Sequence, residues 1–190
     1  MDASDISDQD LVQQAQAELP YGTQAFEMLL RRYEVRVFST CLRFLGHYQD
    51  AEEASQEVFL RVFHALKKIQ SKSTFKTWLF RIAVNTSLTW REKIARRAQQ
   101  TAVTDIADAD FLQQIAADTD TTLEQIDGPL SEAFESLSDE DRDTLVLRYV
   151  SGLKITETAE VCEIKESAAK MRVSRSLDRL KDAYHEFRKK

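Results

Sequence analysis

The chain has 190 residues, 43% of them hydrophobic and 31% charged, and a formal net charge of −6. That length suits one medium domain or two small ones, and four glycines with two prolines are too few for a turn-rich β protein, so an all-α chain is expected. No apolar run exceeds three residues, which excludes a membrane span, and the acidic start "MDASDISDQD" is unlike a secretory leader, so a cytoplasmic protein with no membrane insertion of its own is expected.

In chain order, Ser7 or Asp8 can cap a short helix through Leu19, which "PYG" at 20–22 breaks. Thr23 opens a long helix to Leu45, with Phe26, Leu29, Leu30, Tyr33, Val37, Cys41 and Leu45 on one face and Gly46 as its stop. A third helix covers about residues 49–69, with Ala51, Ala54, Val58, Val62, Phe63 and Leu66 inward. The polar loop "QSKST" leads into a fourth, whose stripe is Phe75, Trp78, Leu79, Ile82, Ala83, Thr86 and Trp90. These four make a first domain over residues 1–97. Residues 98–128 form an acidic, flexible linker poor in large apolar side chains. Pro129 suits the first turn of a helix to Leu137, and Ser138 with Asp141 resembles a capping box for another that ends near Gly152. The short segment "KITETAEVC", a break at Glu163 and Ile164, and a long basic helix then give residues 129–190 the outline of a helix-turn-helix.

Cys41, Cys162, His47, His64 and His185 are scattered, with no metal-ligand or nucleophile spacing. Two buried, reduced thiols, no metal, no cofactor and no enzyme activity are expected from this. Charge is sharply partitioned instead. Residues 61–97 hold ten cations against one acid, and residues 98–145 hold thirteen acids against one cation. Two basic blocks separated by an acidic one suggest two surfaces for a polyanion.

On the last helix Ala169, Val173, Ser176 and Leu180 share one packing sector. Ser167, Lys170, Met171, Ser174 and Asp178 point away, with Arg175 and Arg172 successively further round the flank. That outer face suits a major groove; the plain alternative is a solvated charged helix. On the fourth helix Lys76, Phe80, Val84, Asn85, Ser87, Leu88 and Arg91 fall outside the stripe. Cations and exposed aromatics hold unstacked bases, and an asparagine amide can read a base edge.

Three stretches carry a resemblance: "DAEEASQEVFLRVFHAL" from Asp50, "STFKTWLFRIAVN" ending at Asn85, and "LSDEDRDTLVLRYVSGL" from Leu137. They resemble blocks of bacterial sigma factors of the extracytoplasmic-function (ECF) group, the fourth group of the sigma-70 family. The resemblance implies an all-α transcription initiation factor of two domains. The first binds the beta-prime clamp coiled coil of RNA polymerase core and melts the minus-10 element, and the second reads the minus-35 element. It implies core contacts at Glu53, Gln56, Glu57 and Leu60, and a base-capturing part at Gln70, Ser71, Lys72, Ser73, Thr74 and Asn85; Lys76, Leu88 and Arg91, read above from outside the stripe, complete the expected minus-10 contacts. Since it makes the second domain the minus-35 reader, the residues expected to contact that element are those read from the phase of the last helix, Ser167, Lys170, Met171, Arg172, Ser174 and Arg175; the resemblance also implies an anti-sigma factor as regulator. A linker of about thirty residues reaches roughly 100 Å when extended, enough for promoter elements roughly 50 Å apart. Thr158, Glu163 and "KESAA" at 165–169 depart from the family pattern, which has an apolar residue, a glycine and a proline-glycine-threonine set there. The rival expectations are a sigma mimic that sequesters an anti-sigma factor without binding DNA, and a plain helix-turn-helix repressor. Neither uses both the basic fourth helix and the basic last helix.

Overall fold

The computed structural model describes residues 6–67, 74–101 and 128–189. Among these, all regular structure is helical: α1 (Asp8–Glu18), α2 (Gln24–Leu45), α3 (Tyr48–Leu66), α4 (Phe75–Thr101), α5 (Gly128–Glu135), α6 (Asp139–Leu145), α7 (Ile155–Val161) and α8 (Glu166–Phe187). A π-helical turn, Val146–Val150, continues α6.

Ser7, rather than Asp8, caps α1 by accepting from the Asp10 amide at 3.2 Å. Asp8 ties α1 to α2 instead, accepting from Arg32 at 2.5 Å and from the Tyr33 hydroxyl. Thr23 precedes α2, and Gly46, at a φ of 73° that favours glycine, ends it. The α2 stripe buries Phe26, Leu29, Tyr33, Val37 and Cys41 against Ala51, Ala54, Val58, Val62 and Leu66 of α3. Burial pushes the Cys41 thiol up to about 11, so it stays protonated at neutral pH. Cys162 is half-buried rather than buried.

Helix α4 departs from its expected stripe. Phe80, assigned to the outer face, has 0% exposure and meets Tyr33 edge-to-face with ring centroids 6.3 Å apart. Ser87 and Thr77 are buried as well. The reason is that α4 is covered on more than one side, by α2 and α3 and also by α7, so its buried arc is wider than a single helical stripe. The helix also runs to Thr101, four residues beyond the expected domain boundary. The rest of the expected linker, residues 102–127, lies outside the described residues.

Among residues 128–189, Ser138 caps α6, its hydroxyl accepting from the Asp141 amide at 3.3 Å. Asp141 joins α6 to α8, accepting from the hydroxyls of Ser138 at 2.9 Å and Ser176 at 2.7 Å and from Arg179. Burial pulls this carboxyl upward, but the bonds from Ser176, Arg179 and Ser138 outweigh it and hold it below the ordinary carboxylate range. Its contribution to stability is therefore present above the unfolded-state value and is lost as pH falls through the lower folded value.

The break between α7 and α8 is built on Glu163, whose φ is 56°. A side chain in this left-handed region costs about 1–2 kcal/mol that glycine does not incur. The helix-turn-helix thus keeps its turn at the expense of strain. Glu163→Gly is expected to stabilise this domain by about 1 kcal/mol after the extra unfolded-state entropy of glycine is deducted. Urea unfolding of the full chain checks it, and an unchanged or lower midpoint would count against the strain.

The two helical groups pack on each other. The π turn lies against α2, where Thr40 and Ser151 share a buried hydrogen bond of 2.8 Å, and α7 lies against α4. Leu147, Leu153 and Val161 join the core formed by α1 to α4. A π turn holds one more residue per turn than an α turn, so its ladder shifts to the i, i+5 pattern seen in the 2.9 Å bond from the Ser151 amide to the Val146 carbonyl.

Candidate nucleic-acid interface

The first candidate surface is the outward face of α3. Glu53, Gln56 and Leu60 are exposed, Leu60 at 60%. Glu57 is different. It accepts from the Trp90 indole N–H at 2.7 Å and from Arg61 at 2.5 Å, which ties α3 to α4. Burial raises its carboxyl, but the Trp90 and Arg61 bonds and the neighbouring cations bring it below the usual range. Lys93 lies over the other part of this site, 5.2 Å from the Trp90 ring centre.

The second surface is α4 with the segment before it. Gln70, Ser71, Lys72 and Ser73 lie outside the described residues. Thr74 caps α4, its hydroxyl accepting from the Thr77 amide at 3.3 Å. Asn85 is exposed and Leu88 half-buried, and both line a cavity of about 280 Å³ between the two helical groups, together with Phe44, Leu147 and Cys162. Three cations of α4 are engaged by residues of the second helical group. Lys76 donates to the Gly152 carbonyl at 2.6 Å and lies 3.3 Å from Glu157; Arg91 lies 3.2 Å from Asp143 and 3.7 Å from Asp139. Arg81, which the sequence did not single out, donates to the Glu160 carbonyl at 3.0 Å and lies 3.4 Å from its carboxylate. Burial raises the Asp143 carboxyl, and Arg91 offsets that only in part.

The third surface is α8. Ala169, Val173 and Ser176 are buried and Leu180 is half-buried, so the opposite face is presented outward. Ser167, Lys170, Met171, Ser174 and Arg175 are exposed on it, Met171 at 53%. Arg172 is half-buried and pairs with Glu140 at 2.6 Å. Thr158, on the helix behind, is fully buried where the family pattern has an apolar residue.

Residues 29–97 match the family model described as Sigma-70 region 2, and residues 128–180 match that of Sigma-70, region 4. The chain is 30% identical over 178 residues to the ECF RNA polymerase sigma-E factor of Escherichia coli K12, covering 90% of this chain and 91% of the relative. The chain belongs to the ECF family of RNA polymerase sigma factors. It is 28% identical to the RNA polymerase sigma-H factor of Pseudomonas aeruginosa, over 93% of each chain. Among solved structures, the fold is similar to the sigma factor RpoE of Bartonella quintana in complex with the anti-sigma factor NepR (TM-score 0.67, 21% identity, 83% of this chain and 95% of that one). It is also similar to CnrH in complex with the cytosolic domain of CnrY (TM-score 0.66, 23% identity, 95% and 96%). This ECF sigma factor is a transcription initiation factor that directs RNA polymerase to promoters, and its family is not one of enzymes. No helix among the described residues is long and apolar enough to cross a membrane.

Proposed function

We propose that the three surfaces divide the work of promoter recognition. The exposed Glu53, Gln56 and Leu60 of α3, with Glu57 at its inner edge, contact the beta-prime clamp coiled coil of core polymerase. Helix α4 and residues 70–74 open the minus-10 element. Lys76 and Arg91 hold strand phosphates, Leu88 packs against the strand, and Asn85 takes a base that has left the stack, whose extrusion costs a few kcal/mol that these contacts return. Helix α8 enters the major groove of the minus-35 element. Ser167, Lys170, Met171, Ser174 and Arg175 face bases, and Arg172, on the flank, faces phosphate.

The observation that carries this division is the joint exposure of Lys170, Met171, Ser174 and Arg175 on one face of α8, behind a turn that Glu163 keeps in the left-handed conformation. The division also implies a cytoplasmic factor, since core enzyme and promoters are there, and an anti-sigma factor as its regulator. The complex of the similar RpoE with NepR supports that last point.

Run-off transcription with core polymerase and a library of genomic fragments tests the function and yields the promoters together. Transcripts from a small set of fragments, dependent on added chain, are expected. In the same assay Lys170→Ala or Arg175→Ala should change preference among minus-35 sequences. Arg172→Ala should weaken all promoters alike and lower the salt slope by about one unit. No chain-dependent transcript from any fragment would refute the proposal.

A further inference from the structure

Arg43 stands in the last turn of α2, half-buried, with no hydrogen-bond or ion-pair partner among the described residues. Burial draws its guanidinium down from the ordinary value, and no neighbouring acid acts to raise it. It stays charged all the same, as an arginine does at any physiological pH. The acids that share a cavity with it are already taken. Arg43 lines a space of about 250 Å³ with Asp139 and Asp143, but Asp139 pairs with Arg142 and Arg91, and Asp143 with Arg91. A part-buried cation without an anionic partner costs the fold free energy, and its two-pronged donor geometry matches a carboxylate.

The same side chain lines a second cavity of different character. This one, of about 160 Å³, is walled by Leu130, Ser131 and Phe134 of α5, Val150 of the π turn and Leu180 of α8. Among the described residues Arg43 is its one charged group, and Ser131 its one other polar side chain. An apolar cavity of about 150 Å³ stays dry and accepts benzene. The space therefore holds a single ring or a chain of about six carbons, and a nucleotide is too large for it. A small acid satisfies both features at once. Its apolar part fills the cavity, and its carboxylate accepts from the Arg43 guanidinium. A neutral molecule of the same shape leaves Arg43 unpaired, an amine meets a like charge, and acetate leaves the cavity empty.

We propose that this cavity is a binding site for a small carboxylic acid whose apolar part is one ring or a short acyl chain, held by Arg43. The site goes beyond promoter recognition and uses none of the residues assigned to it. Arg43 belongs to the first helical group and the other five residues to the second, so the bound acid touches both groups and stabilises the folded chain by mass action.

Calorimetric titration of the full chain with phenylacetate and with hexanoate tests this. At least one acid should bind one-to-one with a dissociation constant of about 1 mM or lower, the order expected for a ligand of about ten heavy atoms. The tighter of the two tells an aromatic from an acyl ligand. Acetate, 2-phenylethanol and 2-phenylethylamine should each bind at least tenfold more weakly than that acid. Nuclear Overhauser contacts from the bound acid to the methyl groups of Val150 and Leu180 should place it in the cavity. Arg43→Gln should weaken binding at least tenfold, and Ser131→Phe, which fills the cavity, should abolish it, both with far-ultraviolet helicity retained. No binding of either acid at about 10 mM would overturn the site. Equal binding of 2-phenylethanol, or contacts away from Val150 and Leu180, would do the same, and these three outcomes are read on the unaltered chain whatever the variants do to folding. An Arg43→Gln chain that folds and binds the acid as its parent does would overturn the role of Arg43.

Discussion

Phe80→Ala is expected to destabilise the helical unit of α1 to α4 by about 3–5 kcal/mol, the range for truncating a buried aromatic ring. Phe80 is fully buried, and its ring packs edge-to-face on Tyr33. Tyr33 in turn meets Phe75 with ring centroids 5.6 Å apart, so the cavity would open in an aromatic cluster that joins α2 to α4. Domains of this size are stable by about 5–15 kcal/mol, and a loss of this order moves the midpoint by many degrees. Thermal unfolding followed by circular dichroism reads it. The opposite outcome, unchanged stability with weakened binding of single-stranded DNA, would return Phe80 to the outer, base-stacking role that the helical stripe alone assigned to it.

Asn85→Ala is expected to behave in the reverse way. Its side chain is exposed and its carbonyl, which accepts from the Thr89 hydroxyl at 2.9 Å, survives the substitution, so stability should stay within about 0.5 kcal/mol. Removing the hydrogen bonds to one base edge costs roughly 1–3 kcal/mol, which corresponds to about a 5- to 150-fold fall in promoter opening. The partner base exists for Asn85 only after it leaves the stack. Closed-complex formation should therefore be spared, and permanganate reactivity of the minus-10 thymines should fall. Unaltered reactivity in the variant holoenzyme would remove Asn85 from the site.

These two residues also mark what the sequence could tell. Periodicity and caps identify the helices well, because Ser7, Gly46 and Ser138 act locally and the stripes of α2, α3 and α8 follow a simple helical period. Asn85 and the outer residues of α8 are legible for the same reason. Phe80 was misread because α4 has neighbours on several sides, one of them contributed by residues some eighty positions later. The engagement of Lys76, Arg81 and Arg91 has the same origin. Each looks like a free cation until Glu157, Glu160 and Asp143 are brought beside it by tertiary packing. Glu57 was legible as a polar residue off the apolar stripe, but its bond to Trp90 crosses from one helix to another and has no local signal. Glu163 was legible as a departure from glycine. That it adopts the left-handed conformation all the same follows from the packing of α7 on α8.

Core dependence of promoter binding is the most direct measurement. A labelled promoter fragment, obtained from the run-off experiment, is titrated with the chain alone and with the chain plus core polymerase, and fluorescence anisotropy is read at several salt concentrations. The chain alone should bind weakly, without preference for promoter over scrambled duplex, and lose that binding as salt rises. Addition of core should give tight binding that prefers the promoter and is weakened by Glu57→Lys. Tight, promoter-selective binding of duplex by the chain alone, unchanged by core, would contradict the assignment of its surfaces and favour a free-standing helix-turn-helix repressor.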